Sequence, residues 1–321
     1  MPNHRPAAGP VAVFAPAKVN LALHVIGRRA DGYHEIDTLV AFASIGDRIE
    51  AKLAAELHLE IDGPFADVLR AGEGVNANLV LEAARRLRTH AAQNGGNRVR
   101  GAHLRLVKNL PVAGGIGGGS ADAAAALIAL RQLWEMPAEF DLAPIAGGIG
   151  ADVPMCLISG PLRATGIGER IVRLPRYEGD EPAQLPGLLV NPGISVATHE
   201  VFARLTPRAR AGLSEIGDDP LSPSFLAGLR NDLEAAAIAM APPIRDVLGV
   251  LRENPGCRLA RMSGSGPTCF GLFDSIAGAA AAGSTLQRER PEWWIRPVLL
   301  GGGRARLEEI SDWMDRHEPD R

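Results

Sequence analysis

The feature that most constrains the fold of this chain is a glycine-rich loop that leads into an alanine-rich run, PVAGGIGGGSADAAAAL at residues 111–127. Five glycines fall within the six positions 114–119, after a strand-like stretch at 102–108. The alanine-rich run predicts a helix from about residue 120 to residue 134. Glycines let successive N–H groups turn into one concavity, and the helix start adds unpaired donors and a positive dipole end. We therefore expect the loop to bind a polyphosphate, with a tight packing turn as the alternative.

Two widespread nucleotide-binding motifs do not match this loop. It lacks the GxxxxGK[ST] pattern of a Walker A motif. A dinucleotide-binding fingerprint would need an acidic residue about 20 positions further on. That position falls near Asp141, in a segment without the pattern of a second parallel strand. Both classes are therefore excluded for this segment.

The length of the chain, 321 residues, indicates two domains, because one hydrophobic core seldom grows beyond about 300 residues. Residues 173–186, RLPRYEGDEPAQLP, are rich in proline and charge, as a linker or long loop is. We place the boundary just before them and expect domains at 1–170 and 171–321. Helices that alternate with antiparallel strands favour an α+β class. The tail after about residue 290 holds a strand-like WWIRPVLL and a charged helix, and we expect it to be peripheral.

The N-terminal segment predicts a hairpin of two strands. Alternating apolar residues at 11–26 suit a half-buried strand that is interrupted at Pro16. The Asp31-Gly32 pair signals a turn, and residues 35–43 return as a second strand. We therefore expect four polar residues of this hairpin to lie close together: Lys18, Asn20, Tyr33 and His34.

Further elements follow along the chain. A helix start is predicted at 150–152, before the apolar run 153–158, in which Pro154 leaves helix or strand open. In the second half a Pro-Gly turn stands at 192–193, and a glycine turn at 263–267 joins two strands. The expected helices are 76–88, 195–205, 231–240 and Pro243–Glu253, and the expected strands are 187–190, Cys257–Met262 and Cys269–Phe273.

Charge and cysteine content limit the partners and the compartment. A net charge of −3 gives no broad field that would attract nucleic acid, and we expect none as a partner. Three cysteines without CxxC spacing suggest neither a disulfide framework nor a zinc site. No apolar leader or membrane-length apolar run is present, so we expect a cytoplasmic protein without a membrane partner. The lysines are Lys18, Lys52 and Lys108, which leaves 31 of the 34 basic residues as arginine, so a retained lysine suggests a need for a compact point charge.

Three segments together resemble the motifs of the GHMP kinase superfamily. These are APAKVNLAL at 15–23, the glycine loop at 111–127 and RMSGSGPTCFGLF at 261–273. The resemblance implies a ribosomal S5 domain 2-like N-terminal domain, a ferredoxin-like C-terminal domain and ATP with Mg²⁺ as cofactors. It places Gly264, Ser265 and Gly266 of the third motif beside the nucleotide or the substrate, with a hairpin turn as the alternative. The ATP-binding residues that it implies are Pro111, Val112, Ala113, Gly114, Gly115, Ile116, Gly117, Gly118, Gly119, Ser120 and Ala121.

Within this superfamily the chain is most similar to members that phosphorylate a cytidine-diphosphate-linked methylerythritol. The segments that carry this likeness are KVN at 18–20, GRRADGYHEIDTL at 27–39, GADVPMC at 150–156, NPGISVATHEVF at 191–202 and NDLE at 231–234. The resemblance implies phosphorylation of the 2-hydroxyl of that compound, in the non-mevalonate route to isoprenoid precursors. It also implies that Tyr33 stacks on cytosine, that His34 hydrogen-bonds the cytosine edge, and that Asn20 and Thr198 contact the substrate. Ala113 and Ile116 depart from the common glycine and leucine, and both changes should leave the backbone amides in place.

Lys18 and Asp152 are the candidate catalytic residues. Phosphoryl transfer to an alcohol needs charge neutralisation, positioning and an acceptor for the hydroxyl proton. Asp152 can accept that proton, and a nearby Lys18 would keep the carboxylate ionised, so we rank positioning by Asp152 above strong basicity. The alternatives are a helix N-cap for Asp152 and a solvated surface lysine for Lys18. For Lys108, a nucleotide contact and an edge-strand role against aggregation remain equal alternatives.

Other assignments stay open at the level of sequence. A Tyr-His pair in a turn is often structural or exposed, which is the alternative for Tyr33 and His34. No carboxylate cluster identifies a metal cage, and Ser120 is a magnesium ligand only by its position. The rival functions are another GHMP kinase, of the homoserine or mevalonate type, and a noncatalytic S5-like nucleic-acid-binding module. We expect a monomer or a homodimer.

Overall fold

The computed structural model describes residues 9–72, 77–93, 101–174, 184–205, 210–216, 219–301 and 303–308. Within these ranges the chain forms a mixed structure of helices and largely antiparallel strands. The strands are β1 Val11–Arg28, β2 His34–Ala54, β3 His58–Asp62, β4 Gly101–Val107, β5 Leu162–Gly166, β6 Arg170–Arg173, β7 Leu185–Asn191, β8 Cys257–Met262, β9 Cys269–Phe273, β10 Trp294–Leu300 and β11 Leu307–Glu308. The helices are α1 Ala66–Gly72, α2 Leu79–Gln93, α3 Gly118–Leu133, α4 Ala143–Ile149, α5 Val153–Ile158, α6 Thr198–Ala203, α7 Pro223–Ala227, α8 Glu234–Met240, α9 Pro243–Glu253 and α10 Ile276–Glu289.

The long hairpin of β1 and β2 is the frame of the N-terminal half. The turn predicted at Asp31-Gly32 is confirmed, with Gly32 at φ 91° and the Arg29 N–H donating to Tyr33 O at 2.7 Å. The predicted interruption at Pro16 is wrong, because β1 continues and absorbs the proline in a register shift between Pro16 and Lys18. An irregularity of this kind accommodates a proline without ending the strand.

Helix α3 lies across this sheet and is buried on nearly all sides. It begins at Gly118, two residues before the predicted start, and packs against β1, β2, α2 and α5. Its alanines at 121, 123–126 and 129 are buried, and their small side chains allow neighbouring elements to approach from several directions. The position of the glycine loop is therefore fixed by the best-packed helix of the N-terminal half.

The second half is built on β7, β8, β9 and β10, which pair antiparallel in the order β10-β7-β9-β8. The expected strands Cys257–Met262 and Cys269–Phe273 and the expected helix Pro243–Glu253 are confirmed. Helix α10 was not predicted, because its alanine and glycine content gives little amphipathic pattern. Helices α9 and α10 both pack on strands of this sheet.

The expectation of a peripheral tail is wrong. Strand β10 pairs with β7 along its whole length, and Leu300 pairs with Ala43 of β2. The side chains of Ile295, Val298 and Leu300 are buried, so this strand joins the two halves in one sheet. Most of the charged stretch after WWIRPVLL, in which a helix was predicted, lies outside the described residues, at 309–321, as does most of the predicted linker, at 175–183.

Strand β6 bears on the predicted domain boundary. It pairs antiparallel with β5, and β5 pairs with β2, so the sheet of the first half extends to Arg173, beyond the boundary at 170. Among the described residues, no helix has both the length and the apolar character that a membrane crossing requires.

Candidate active site

A buried lysine and a more exposed aspartate form an ion pair at one end of the central cavity. Lys18 follows the register shift of β1 and is 4% exposed, and its Nζ lies 2.9 Å from Oδ2 of Asp152. The Asp152 side chain is 41% exposed, so the carboxylate opens towards the cavity while the ammonium stays behind it. Burial excludes a solvated surface role for Lys18.

Asp152 precedes α5, and the open choice at 153–158 is settled as a helix with Pro154 in its first turn. Asp152 occupies the N-cap position, yet its side chain makes no capping hydrogen bond. A capping aspartate would accept from a backbone N–H of the first turn. The carboxylate instead pairs with Lys18. The alternative of a helix-capping side chain for Asp152 is therefore wrong.

Asn20 is held in one orientation by its neighbours. Its Nδ2 donates to Thr38 Oγ1 at 2.8 Å, and that hydroxyl donates to Ala22 O at 2.6 Å. Because the Thr38 hydrogen is already used, its oxygen must accept from the amide of Asn20. Oδ1 of Asn20 therefore faces Lys18, whose Nζ lies 3.3 Å away.

The glycine loop adopts left-handed backbone at several positions. Gly115 has φ 72° and Gly117 has φ 62°, and a Cβ at Gly115 would lie 2.4 Å from Gly266 O. Ala113 has φ 53°, a region that costs an L-residue with a Cβ about 1 kcal/mol. The first intrahelical bond of α3 runs from Ala121 N–H to Gly117 O at 2.9 Å, so the amides of residues 118–120 precede it and make no intrahelical hydrogen bond.

Three successive carbonyls of the loop are bound by neighbouring segments. Gly114 O accepts from Thr268 N–H at 3.1 Å, Gly115 O accepts from the Ser263 hydroxyl at 3.0 Å, and Ile116 O accepts from Lys18 N–H at 2.9 Å. The first two donors belong to the third motif and the last to β1. The glycine loop is thus attached to both halves of the chain.

A cavity of about 500 Å³ lies between these segments. Ile116, Ala121 and Gly266 are buried away from it, and Tyr33 is 62% exposed and outside it. The predicted site residues that line it are Lys18, Asn20, Pro111, Val112, Ala113, Gly114, Gly115, Gly117, Gly118, Gly119, Ser120, Asp152, Thr198, Gly264 and Ser265.

Helix α6 and the residues just before it contribute a further part of the cavity lining. The His34 ring lies 5.2 Å from the ring of Phe202, which lines the cavity. Thr198, one turn before Phe202, shares a 2.8 Å hydrogen bond with the Ser265 hydroxyl of the third motif. Burial and the neighbouring Arg28 lower the pKa of His34 below its ordinary value, so the imidazole is neutral at neutral pH.

The expectation that four hairpin residues would cluster is met only in part. Lys18 and Asn20 are in contact, but Lys18 pairs with Phe42 in the middle of the hairpin, and His34 lies eight residues back along β2, next to the turn. Both strands continue past the predicted break, so the two pairs lie apart along the hairpin. A substrate that contacts both must be extended.

Lys108 takes part in a buried triad below the glycine loop. It is 2% exposed, and its Nζ lies 2.5 Å from Oδ2 of Asp47 and 2.7 Å from Oδ2 of Asp122. Burial alone would lower the pKa of Lys108, but the carboxylates of Asp122 and Asp47 outweigh it and raise that pKa. Burial and the Asp47 carboxylate raise the pKa of Asp122 well above its ordinary value. The edge-strand alternative for Lys108 is wrong, because β4 has a neighbour on each side and the side chain is enclosed.

Two family models match the chain: the GHMP kinases N terminal domain covers residues 78–160, and the GHMP kinases C terminal domain covers residues 222–290. The 4-diphosphocytidyl-2-C-methyl-D-erythritol kinase of Cereibacter sphaeroides is 47% identical over 298 residues, which is 90% of this chain and 99% of the relative. The chain belongs to the 4-diphosphocytidyl-2-C-methyl-D-erythritol kinase family. A crystal structure of a 4-(cytidine 5′-diphospho)-2C-methyl-D-erythritol kinase is 34% identical, with a TM-score of 0.71, and covers 91% of this chain and all of the other.

The wider superfamily shares the fold of this 4-diphosphocytidyl-2-C-methyl-D-erythritol kinase family member. The homoserine kinase from Cytophaga hutchinsonii is 20% identical, with a TM-score of 0.66, over 96% of this chain and all of the other. At that identity the likeness extends to the fold alone.

Three residues that build the site were not singled out in the sequence. Phe202 lies in the segment NPGISVATHEVF, and its spacing of four from Thr198 places both on one helix face. Asn231 lies in NDLE, and its Nδ2 donates to Met262 O and Gly264 O at 2.8 Å each, which fixes the third motif. Ser263 opens the glycine turn, and its hydroxyl contacts two other segments. Their motifs were visible, but their contacts depend on residues far away in the sequence.

Proposed function

We propose that this protein is an ATP-dependent kinase that phosphorylates the 2-hydroxyl of 4-diphosphocytidyl-2-C-methyl-D-erythritol, giving the 2-phosphate and ADP, in non-mevalonate isoprenoid precursor biosynthesis. The observation that carries the proposal is the arrangement of one cavity. The Lys18–Asp152 pair, the glycine loop and Phe202 line it, and the His34 ring, 5.2 Å from the Phe202 ring, lies away from Lys18 along the hairpin. An extended substrate with an alcohol at one end and a cytosine at the other fits this separation.

The glycine loop suits the phosphates of ATP. The free amides at the start of α3 and the positive end of its dipole favour negative charge at that position. The apolar side chains of Leu69, Leu79 and Val112 line the same cavity and suit an adenine ring, with the amide of Asn78 beside them. We place the nucleotide between these two groups.

Lys18 and Asp152 carry the proposed chemistry. Lys18 binds Oδ2 of Asp152, and Oδ1 makes no hydrogen bond within the described residues, so Oδ1 is available to accept the proton of the substrate alcohol. The ammonium of Lys18 holds the carboxylate of Asp152 in place beside the cavity. Because bond formation to the incoming alcohol is limited in a loose transition state, proton removal comes late and positioning by Asp152 matters most.

Mg²⁺ bound with ATP would neutralise charge on the transferring phosphoryl group. No group of three or more His, Cys, Asp or Glu side chains that could hold a metal occurs among the described residues. We therefore propose that the ion is held chiefly by phosphates and water, with the Ser120 hydroxyl as its ligand from the protein.

At the other end, we propose that Tyr33 stacks on the cytosine and that His34 hydrogen-bonds its edge. The exposed ring of Tyr33 is free to close over a ligand, and the neutral imidazole of His34 can both donate and accept. Asn20 and Thr198 contact the substrate between its two ends. The Phe202 ring supplies an apolar wall on the side of α6.

The finer fold assignments belong to the same proposal. We assign an S5 domain 2-like fold to the N-terminal half, a ferredoxin-like fold to the C-terminal half, and a boundary between domains near residue 170. We propose a monomer or homodimer in the cytoplasm that binds no nucleic acid, which agrees with the net charge of −3.

ADP release by purified protein tests the assignment against a panel of three acceptors. The cytidyl alcohol should be turned over, and homoserine and mevalonate should not. Turnover only with homoserine or mevalonate would overturn the substrate assignment and keep the kinase class. If none of the three acceptors is phosphorylated and the protein binds RNA tightly, the nucleic-acid-binding module would replace the kinase assignment.

A further inference from the structure

The hydroxyl of Ser263 connects strand β1 to the glycine loop. Ser263 is 0% exposed and follows directly after β8, at the start of the third glycine motif. Its Oγ accepts from the backbone N–H of Asn20 at 3.1 Å and donates to Gly115 O at 3.0 Å. One side chain of the C-terminal half therefore bonds both the strand that carries Lys18 and the loop assigned to phosphate.

This contact completes the outer edge of β1. Along that edge, opposite β2, the N–H of Lys18 donates to Ile116 O and the N–H of Leu23 donates to Arg230 O, each at 2.9 Å. The Asn20 N–H lies between them, and the Ser263 hydroxyl is its acceptor. Next to the Lys18–Asp152 pair, loops and not a neighbouring strand accept the hydrogen bonds of this edge. Each loop contact fixes the strand at one residue.

Ser263 lies outside the group of described residues that line the cavity. Its one O–H donor is used by Gly115 O, its oxygen accepts from the Asn20 N–H, and the side chain is buried, so Ser263 has no direct role towards a ligand. Any effect of this hydroxyl on turnover must therefore pass through the placement of Asn20, Lys18 and Gly115.

We propose, on the basis of the function proposed above, that Ser263 is a positioning residue that fixes the orientation of the phosphate loop relative to the Lys18–Asn20 segment of β1. Transfer needs reacting atoms within about 3.5 Å, and a misplacement of about 1 Å can reduce the rate about 100-fold. Each subsite keeps its own ligand groups without Ser263, because the loop stays tied through Thr268 and Lys18. The Lys18–Ile116 hydrogen bond joins the loop to β1 at one point, and the hydroxyl of Ser263 adds a second point, between Asn20 and Gly115, that sets the orientation of the loop against the strand.

The test is Ser263→Ala, with Ser159→Ala as the matched control. Ser159 is also buried, and its hydroxyl accepts a single backbone N–H, from Ala305 at 2.7 Å, away from the cavity. We expect Ser263→Ala to lower kcat about 10- to 100-fold. The dissociation constants of ADP alone and of cytidine 5′-diphosphate alone should change less than about threefold. Ser159→Ala should lower the melting temperature and leave kcat within about twofold of wild type.

Two outcomes overturn the inference. A folded Ser263→Ala protein with wild-type kcat shows that the hydroxyl does not align the subsites. A fall in kcat that is matched by equal losses in both single-ligand affinities shows general structural damage. If Ser263→Ala does not fold, Ser263→Cys replaces it, because the thiol keeps a weak donor of similar size. Its kcat should lie between that of the wild type and the roughly 10- to 100-fold lower value expected for Ser263→Ala.

The wild-type protein separates this inference from the proposed function. Absence of turnover with the cytidyl alcohol overturns the proposed function and the role of Ser263 together. If the wild type turns over the cytidyl alcohol and the Ser263→Ala variant has the same kcat, only the role of Ser263 is overturned.

Discussion

Replacing Lys108 by methionine tests the buried triad below the glycine loop. The ammonium lies 2.5 Å from Asp47 and 2.7 Å from Asp122, and all three side chains are buried. At an effective dielectric constant of about 20, one ion pair at about 3 Å carries roughly 5 kcal/mol of Coulomb energy. Two effects offset part of this lost energy: the variant no longer has to bury an ammonium group, and Asp122 can take up a proton. We expect the free energy of unfolding to fall by about 3–5 kcal/mol at neutral pH, a large share of the roughly 5–15 kcal/mol of a typical domain.

The loss should depend on pH in a defined direction. Burial and Asp47 raise the pKa of Asp122 above its ordinary value of 3.8 in the folded state, so the folded protein binds more protons than the unfolded chain between these two pKa values. The free energy of unfolding therefore falls as pH rises through that interval. Without Lys108 the folded-state pKa of Asp122 rises further, because the two carboxylates lose their shared cation, and the pH range between its unfolded and folded pKa values becomes wider. The destabilisation by Lys108→Met should be greatest at neutral pH and should shrink as the solution is acidified.

Urea unfolding of wild type and variants, repeated across pH, measures these effects. Lys52→Met is the matched control, because Lys52 lies on β2 and is only half-buried, and it should change the free energy of unfolding by less than about 1 kcal/mol. The double variant Lys108→Met/Asp122→Asn removes one of the two stranded charges and should recover about 1–3 kcal/mol. A Lys108→Met protein as stable as the Lys52→Met protein would refute the reasoning.

Three further predictions concern the site. Lys18→Ala and Asp152→Asn should each lower kcat by about 100-fold or more, while calorimetry still detects ADP binding; near-normal turnover removes the residue from its proposed role. Gly115→Ala should weaken ADP binding, because the added Cβ would lie 2.4 Å from Gly266 O, and an unchanged dissociation constant would contradict the proposed loop geometry. Because burial lowers the pKa of His34 below 6.5, KM for the cytidyl alcohol should rise only in acid below that value. A His34→Gln variant should lose this pH dependence, and a wild-type KM that stays constant in acid would argue against a cytosine contact.

Local patterns predicted the elements that depend on local interactions. The turn at Asp31-Gly32, helix Pro243–Glu253 and the strands around the third glycine motif follow from turn residues and apolar periodicity, and all are present. The role of β10 could not be predicted in this way. Its neighbours, β7 and Ala43 of β2, are far away in the sequence, and nothing in WWIRPVLL distinguishes a central strand from an edge strand.

The same distinction applies to the site. The glycine loop and the proximity of Lys18 to Asp152 followed from motif and chemistry, because each needs a particular residue type. For Lys108 the edge-strand role is wrong and a nucleotide contact stays a prediction, while its ion pairs with Asp47 and Asp122 were missed because these carboxylates come from β2 and α3. The separation of His34 from Lys18 was also missed, because it depends on how far the hairpin strands continue.

Strand β10 has a consequence for how the chain is made. A ribosome adds residues from the N-terminus, and folding can begin there during synthesis. The sheet around β1 and β2 has its strands through β6 once residue 173 has emerged, but β7 ends at Asn191 and its partner begins at Trp294, 103 residues later. Until then β7 presents an unpaired edge carrying Leu188, Leu189 and Val190, the kind of strand that invites pairing between chains. A messenger truncated before β10 would therefore yield a product that aggregates or binds chaperones, and the pairing of β10 with β7 is a late step of biogenesis.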